Sequence, residues 1–204
     1  MSIKLLLVTV AGFALGAASG FSVLPEARNA LIAKARVHVV GEALIGGAFQ
    51  LVDHTGKRVT DKDFRGRYML VQFGFTFCPD ICPTGLQLMS AALAELGPLA
   101  ARVTPVFISV DHERDTPKVL GKYVTAFHPR IVGLTGSADD IRNAARTYRV
   151  YFAKVKDPSS GLDYSYDHSA ITYLMDRNGK YVAHFPLGIS VNAMTKRLRA
   201  HIQR

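Results

Sequence analysis

The sequence predicts an α/β domain in which helices cover a mixed β-sheet. Dense apolar runs at 68–77 and 103–110 are typical of buried strands, and an amphipathic helical pattern at 83–96 lies between them. The overall order is strand, helix, strand, helix, and then several strands with a final helix. The chain has 204 residues, of which 49% are hydrophobic, and this is enough for one domain with a buried core and a short appendage.

Four strands and one helix are predicted in the first half of this domain. The strands are apolar runs bounded by turn residues, at 49–52, 57–59, 68–77 and 103–110. Gly56 lies between the first two runs, which predicts a small hairpin. Residues 83–96 carry apolar side chains every three or four positions and are followed by Gly97-Pro98, which predicts a helix that ends there.

The second half contains three further helices with recognisable starting residues. Thr116 is predicted to cap a helix that has Pro117 at its first position and runs to about residue 127. Ser137 is predicted to cap a helix to residue 148, with two aspartates in its first turn. A final amphipathic helix is predicted at 191–202. Short strands are predicted at 131–134, 150–155, 171–175 and 181–185, the last two joined by an Asn178-Gly179 hairpin turn.

The amino-terminal residues 5–24 contain no charged side chain. Twenty such residues are long enough to cross a hydrocarbon core of about 30 Å as a helix. A cleaved signal peptide is the alternative, with small residues at 14–19 as the processing site. The length of the segment favours a membrane anchor. We therefore expect a transmembrane anchor or signal peptide at 1–24, a linker at 25–45 and the main domain at 46–204.

The chain is basic, with 25 Lys and Arg residues against 16 Asp and Glu residues and a formal net charge of +9. Basic motifs interleaved with aromatic residues are missing, so no nucleic-acid partner is expected. Much of the excess lies in the second half of the domain. The basic residues between Arg142 and Lys156 are interpreted as either a docking surface for an acidic partner or a solvated helix face.

Cys78 and Cys82 are the only cysteines of the chain. Two cysteines exclude a disulfide-stapled miniprotein and a four-cysteine zinc module. The pair follows a predicted buried strand, and Pro83 is expected at the first helical position, which would place both sulfurs beside a helix amino terminus. That environment lowers thiol pKa values and favours the thiolates that bind metal or attack disulfides. Inert packing of the thiols, or a structural disulfide, is the alternative.

A third ligand is needed if the two sulfurs bind a soft metal ion. Sulfur combined with imidazole suits copper, in particular Cu(I). His168 is the best candidate, because it lies at the start of a late strand and is preceded by Asp167, which could orient the imidazole. The other histidines are interpreted as ordinary surface, turn or helix-end residues; they are His38, His54, His112, His128, His184 and His201.

Several motifs in order resemble those of the Sco/SenC copper-binding proteins, which are required for cytochrome c oxidase assembly. The resemblance covers about residues 46–200. The matching motifs are 73–83 (FGFTFCPDICP), 109–111 (SVD) with 113–117 (ERDTP), 134–136 (LTG) and 167–169 (DHS). Two departures are a histidine at position 112, where the family usually has proline, and a serine at position 169, where threonine is frequent.

The resemblance implies a thioredoxin-like fold with an amino-terminal membrane anchor. It implies that Cys78, Cys82 and His168 bind one copper ion per chain. The implied function is that of a copper chaperone that receives copper from a donor protein and delivers it to the dinuclear copper site of cytochrome c oxidase subunit II. The implied location is the inner (cytoplasmic) membrane with the domain on the periplasmic side, or the intermembrane space in mitochondria.

Two other functions use the same cysteines. A thiol–disulfide oxidoreductase would use Cys78 and Cys82 alone to keep the acceptor cysteines reduced, with one thiolate attacking and the other resolving. The sequence does not indicate which cysteine attacks. A thiol peroxidase would share the implied fold, but the chain lacks a distinct single-cysteine peroxidatic signature. Whether the protein is an enzyme therefore stays open at this stage.

Overall fold

The computed structural model of the protein describes residues 44–158 and 163–203. The strands are β1 Gln50–Asp53, β2 Arg58–Thr60, β3 Tyr68–Gly74, β4 Val103–Ser109, β5 Val132–Thr135, β6 Phe152–Lys156, β7 Tyr164–His168, β8 Ile171–Met175 and β9 Tyr181–Pro186. The helices are α1 Ile81–Leu96, α2 Pro117–Phe127, α3 Ala138–Thr147 and α4 Val191–Ile202. Short 3-10 turns lie at Asp61–Phe64 and Gly97–Arg102.

The main sheet has seven strands in the order β2-β1-β5-β4-β3-β8-β9. β3, β4 and β5 pair in parallel, while the other neighbours pair antiparallel, so the predicted mixed sheet is confirmed. Helix α1 connects β3 to β4, and α2 connects β4 to β5, as parallel neighbours require. β6 and β7 form a separate two-stranded sheet.

Helices cover the sheet because their apolar stripes are buried against it. On α4, the side chains of Met194, Leu198 and Ile202 are buried and belong to the same apolar cluster as Leu93 of α1. The larger apolar cluster includes the central strands β3 and β4 together with the buried side chains of α2 and α3. The predicted caps are also present: Thr116 Oγ1 accepts a hydrogen bond from the backbone of Val119, and Ser137 forms a capping box with Asp140.

Helix α1 begins earlier than predicted. Asp80 is the residue before the helix and Ile81 is its first residue, so Pro83 is the third helical residue rather than the first. The prediction that Cys82 precedes the helix was therefore wrong. Proline is tolerated here because the first backbone N–H groups of a helix have no partner within it, so the missing donor removes no helical hydrogen bond.

The strand β7 was not predicted. No strand was predicted between the runs at 150–155 and 171–175, whereas Tyr164–His168 pairs with β6 and brings His168 opposite Phe152. The sequence of this strand, YSYDH, is short and alternates aromatic and polar residues, the pattern of a half-buried strand. It is stabilised by pairing with β6 and by aromatic contacts.

No helix in the two described ranges is long and apolar enough to cross a membrane. The apolar segment predicted at 5–24 lies outside these residues, as do most of the predicted linker at 25–45 and His38.

Candidate metal centre

The fold brings together the three residues that the sequence singled out. The sulfurs of Cys78 and Cys82 and a ring nitrogen of His168 all lie within 4.8 Å of one another. Cys82 Sγ lies 3.3 Å from His168 Nε2. Both cysteines are buried free thiols, and His168 is half-buried. Across residues 44–158 and 163–203, no other three histidine, cysteine or acidic residues converge in this way.

The amino terminus of α1 is capped by a cysteine sulfur. The backbone N–H of Cys82 points at Cys78 Sγ over 3.4 Å, while the Asp80 side chain makes no capping bond. A helix amino terminus carries a partial positive charge, which favours a negative sulfur at this position. The helix amino terminus therefore supports a thiolate at Cys78, although the helix starts two residues earlier than expected. The prediction that it lowers the pKa of both thiols was wrong for Cys82, whose pKa is raised.

The two thiols have opposite electrostatic environments. The pKa of Cys78 is lowered to about 4, first because the Cys82 side chain hydrogen-bonds to its sulfur, with a further contribution from His168. The same bond raises the pKa of Cys82, because a thiol that donates a hydrogen bond is held in its neutral form, and burial raises it further. In the metal-free protein, Cys78 is therefore the thiolate and Cys82 is the thiol.

Space for the Cys82 side chain depends on Gly74, the last residue of β3. A Cβ atom at position 74 would lie 2.7 Å from Cys82 Sγ and 2.8 Å from Phe107 Cε2, which is closer than packed atoms allow. The Gln72 side chain also supports this region, because its Nε2 donates a hydrogen bond to the Cys82 carbonyl oxygen at 3.3 Å. Any side chain at position 74 would therefore displace the sulfur.

The loop that carries Cys78 is held by Asp115, from the loop after β4. Asp115 accepts hydrogen bonds from the backbone N–H of Thr76 at 2.9 Å, from Thr76 Oγ1 at 2.5 Å and from Ser109 Oγ at 2.5 Å. Burial raises the pKa of this carboxyl, and the three hydrogen bonds oppose that shift. No role was predicted for Asp115 from the sequence. The sequence did contain a signal for this contact. β3 and β4 were both predicted as buried strands, and the loops that follow neighbouring parallel strands lie at the same edge of a sheet.

His168 is the last residue of β7, and its ring is fixed on two sides. The ring stands edge-on to Phe75, with 5.8 Å between ring centroids and an interplanar angle of 83°. Its Nδ1 lies 3.3 Å from the Ser169 carbonyl oxygen, so a proton on Nδ1 leaves the lone pair of Nε2 directed at the sulfurs. The structure gives this orienting contact to the Ser169 carbonyl rather than to Asp167, which is exposed.

The remaining described histidines lie outside this cluster. His54 Nδ1 accepts a hydrogen bond from the backbone of Gly133 at 3.1 Å, and His128 Nδ1 accepts one from the backbone of Arg130 at 3.1 Å. His184 Nδ1 lies 2.6 Å from the Tyr181 hydroxyl. These contacts agree with their interpretation as structural residues.

The SCO1/SenC family model matches residues 38–203. The chain belongs to the SCO1/SenC family. Protein sco1 of Schizosaccharomyces pombe is 47% identical over 149 residues, which are 72% of this chain and 56% of that protein. The mitochondrial SCO1 homolog of Homo sapiens is 40% identical over 178 residues, which are 85% of this chain and 58% of that protein. The matches thus span little more than half of these two relatives.

A solved relative has the same fold and holds copper. The crystal structure of Arabidopsis thaliana ScoI with copper bound is 42% identical, with a TM-score of 0.74, over 78% of this chain and 98% of that one. The mixed sheet flanked by helices is therefore the thioredoxin-like Sco fold, as the sequence resemblance implied.

Proposed function

We propose that this protein is a copper chaperone in cytochrome c oxidase assembly. It binds one copper ion through Cys78, Cys82 and His168 and delivers it to the dinuclear copper site of oxidase subunit II. The observation that carries this proposal is the convergence of two sulfurs and one imidazole nitrogen within 4.8 Å. This donor set suits a soft ion such as Cu(I). The copper-bound ScoI of Arabidopsis thaliana supports the choice of metal.

The arrangement of the ligands also suits release of the metal. Cys82 is fully buried, whereas His168 is half-buried, so an incoming ligand reaches the site from the side of the imidazole. With three ligands, a soft ion keeps room for a sulfur or imidazole of the acceptor, and copper passes by exchange of one ligand at a time. A donor protein would load the site by the same route.

The ligand assignment is tested on the full-length protein in detergent. The expected result is one Cu(I) per chain, with two sulfurs and one nitrogen around the metal by X-ray absorption spectroscopy. His168→Ala should lose the nitrogen contribution and weaken the affinity measured by competition with a chromophoric chelator, while the two thiols still react with alkylating reagents. An unchanged affinity in His168→Ala would refute the ligand set. Delivery is tested separately, by transfer of copper to the purified copper domain of subunit II.

A thiol–disulfide oxidoreductase is the second candidate, and the unequal pKa values of the two cysteines favour it. The Cys78 thiolate would attack an acceptor disulfide and form a mixed disulfide. Cys82 would then attack Cys78 Sγ and release the reduced acceptor, and the Cys82 proton would pass to a leaving thiolate. The reaction moves two electrons from the pair to the acceptor. If oxidase maturation persisted in cells carrying His168→Ala, this function would be the better account.

We further propose that residues 1–24 anchor the chain in the inner membrane, that 25–45 form a linker, and that 46–204 lie on the periplasmic side. The uncharged run at 5–24 supports this arrangement. Added protease should cleave the domain in spheroplasts but not in intact cells, and a domain that resists protease in spheroplasts would refute the placement.

A further inference from the structure

The hairpin that carries His168 is not hydrogen-bonded into the main sheet. β7 pairs with β6 alone, over five residue pairs from Phe152 and His168 to Lys156 and Tyr164. An isolated two-stranded hairpin is marginally stable in water. Contacts with the rest of the domain must therefore determine where β7 lies and where it presents the imidazole.

Tyr164, at the other end of β7 from His168, makes three of these contacts with the loop after β4. Its hydroxyl donates a hydrogen bond to Asp111 Oδ1 at 3.1 Å. Its carbonyl oxygen accepts a hydrogen bond from an Arg114 guanidinium nitrogen at 3.2 Å. The guanidinium carbon of Arg114 also lies 3.8 Å from the centroid of the tyrosine ring.

The partners of Tyr164 are themselves fixed. Asp111 is fully buried, and Arg114 Nε donates to its other carboxylate oxygen. Arg114 also lies over the ring of Phe77, in the cysteine loop, at 4.9 Å. Asp115, one residue beyond Arg114, accepts the two hydrogen bonds from Thr76. Residues 111–115 therefore hold both the hairpin and the loop that carries Cys78.

Strand geometry connects Tyr164 to the metal centre. Tyr164, Tyr166 and His168 are spaced by two residues and lie on one face of β7. The ring of Tyr166 packs against Tyr164 and against Phe75, with centroid separations of 5.8 Å and 5.7 Å, and Phe75 in turn contacts His168. A shift of one residue in the strand would turn His168 to the opposite face.

We propose that Tyr164 is a positioning residue for copper binding, whose contacts with Asp111 and Arg114 hold β7 so that His168 Nε2 faces the two sulfurs. The inference rests on the proposed function, because it assumes that His168 is a ligand. It predicts that Tyr164 contributes to copper affinity through His168 and not through the cysteines.

A double-mutant cycle on the full-length protein tests this inference. Tyr164→Ala should raise the Cu(I) dissociation constant about 10- to 100-fold, the range typical when the support of a metal ligand is removed. It should also reduce the nitrogen contribution in X-ray absorption. In a His168→Ala background, the same substitution should have no further effect on affinity. Tyr181→Phe is the matched control, because it removes a tyrosine hydroxyl that contacts His184 on β9, and its affinity should equal that of the wild type.

The other outcomes decide against the inference. Equal losses of affinity in the two backgrounds would mean that Tyr164 acts on the whole domain, and no loss in the wild-type background would mean that it does not position His168. If Tyr164→Ala does not fold, Tyr164→Phe completes the cycle, because it removes the hydrogen bond to Asp111 and keeps the ring. If His168→Ala alone leaves affinity unchanged, the proposed ligand set fails first, and this result is distinct from a failure of Tyr164.

Discussion

The two cysteines and the histidine reach the site from regions with different support. Cys78 and Cys82 follow the central strand β3, which pairs with strands on both sides, and Cys82 has no exposed surface. His168 ends β7, which pairs with one strand only, and is half-buried. The comparison indicates that the site has two halves: a rigid sulfur half, formed by Cys78 and Cys82, and an adjustable imidazole half, formed by His168. If the protein releases copper as proposed, the imidazole is the ligand expected to leave first.

The largest expected effect comes from breaking the sulfur half. Cys82→Ser removes a soft ligand from the buried side, and oxygen is a poor replacement for sulfur with Cu(I). We expect a loss of affinity that exceeds both the loss in His168→Ala and the roughly 100-fold limit typical of changes around a ligand. Competition with a chromophoric chelator measures the Cu(I) affinities of the wild type, Cys82→Ser and His168→Ala. A smaller loss in Cys82→Ser than in His168→Ala would reverse the assignment of rigid and adjustable halves.

The next prediction concerns the pH dependence of the reactivity of Cys78, which distinguishes it from Cys82. Because the pKa of Cys78 is lowered to about 4, its thiolate is fully formed above about pH 5. The rate of Cys78 alkylation in the metal-free protein should therefore be flat from about pH 5.5 to 8, whereas an ordinary thiol reacts about tenfold faster per pH unit in this range. Cys82→Ala removes the side-chain hydrogen bond and should restore a rate that rises with pH. Mass spectrometry identifies the alkylated cysteine, and a rising rate in the wild type would contradict the prediction.

A methyl group at position 74 tests how rigid the sulfur half is. Gly74→Ala would force a Cβ atom to within 2.7 Å of Cys82 Sγ, so we expect a loss of about 1–3 kcal/mol in the free energy of unfolding and weaker copper binding. Gly121→Ala in α2 is the matched control, because its nearest atoms would lie 3.6 Å away. The control should be unchanged or up to about 1 kcal/mol more stable by denaturant unfolding. Equal free energies of unfolding for Gly74→Ala and Gly121→Ala would show that the packing around Cys82 adjusts to the added methyl group.

The smallest effect is expected at the outer edge of the hairpin. Lys154 of β6 forms an ion pair with Glu113 at 2.7 Å, and both side chains are more than 40% exposed. Lys154→Met should therefore leave the denaturant midpoint of unfolding nearly unchanged and leave copper affinity as in the wild type. A large drop in affinity would show that the Lys154 side chain, through the ion pair or through its contact with the Tyr164 ring at 3.7 Å, also positions the hairpin.

The central sheet and the cysteine pair of the candidate site were predictable because their signals are local. Apolar runs predicted β3 and β4, and Thr116 and Ser137 predicted the starts of two helices. Two cysteines separated by three residues, next to a strand and a helix, indicated a site without any tertiary information.

The parts that were not predicted depend on tertiary contacts. β7 alternates aromatic and polar residues, and it becomes a strand because Tyr164 and Tyr166 pack against other elements. Asp115 contacts Thr76 and Arg114 contacts Tyr164, and both partners are distant in sequence. The pattern of residues around Asp115 and Arg114 therefore could not predict these contacts. The start of α1 was wrong by two residues because proline within the first helical turn carries little penalty.

The sulfur cap on helix α1 has a consequence for the reduction potential of the cysteine pair. A disulfide carries no charge, so it loses the favourable interaction that the Cys78 thiolate has with the helix amino terminus and with the backbone N–H of Cys82. Whatever stabilises the thiolate stabilises the reduced form and makes the disulfide a stronger oxidant. The geometry that prepares Cys78 for a soft metal therefore also protects the pair from being locked as a disulfide in an oxidising compartment.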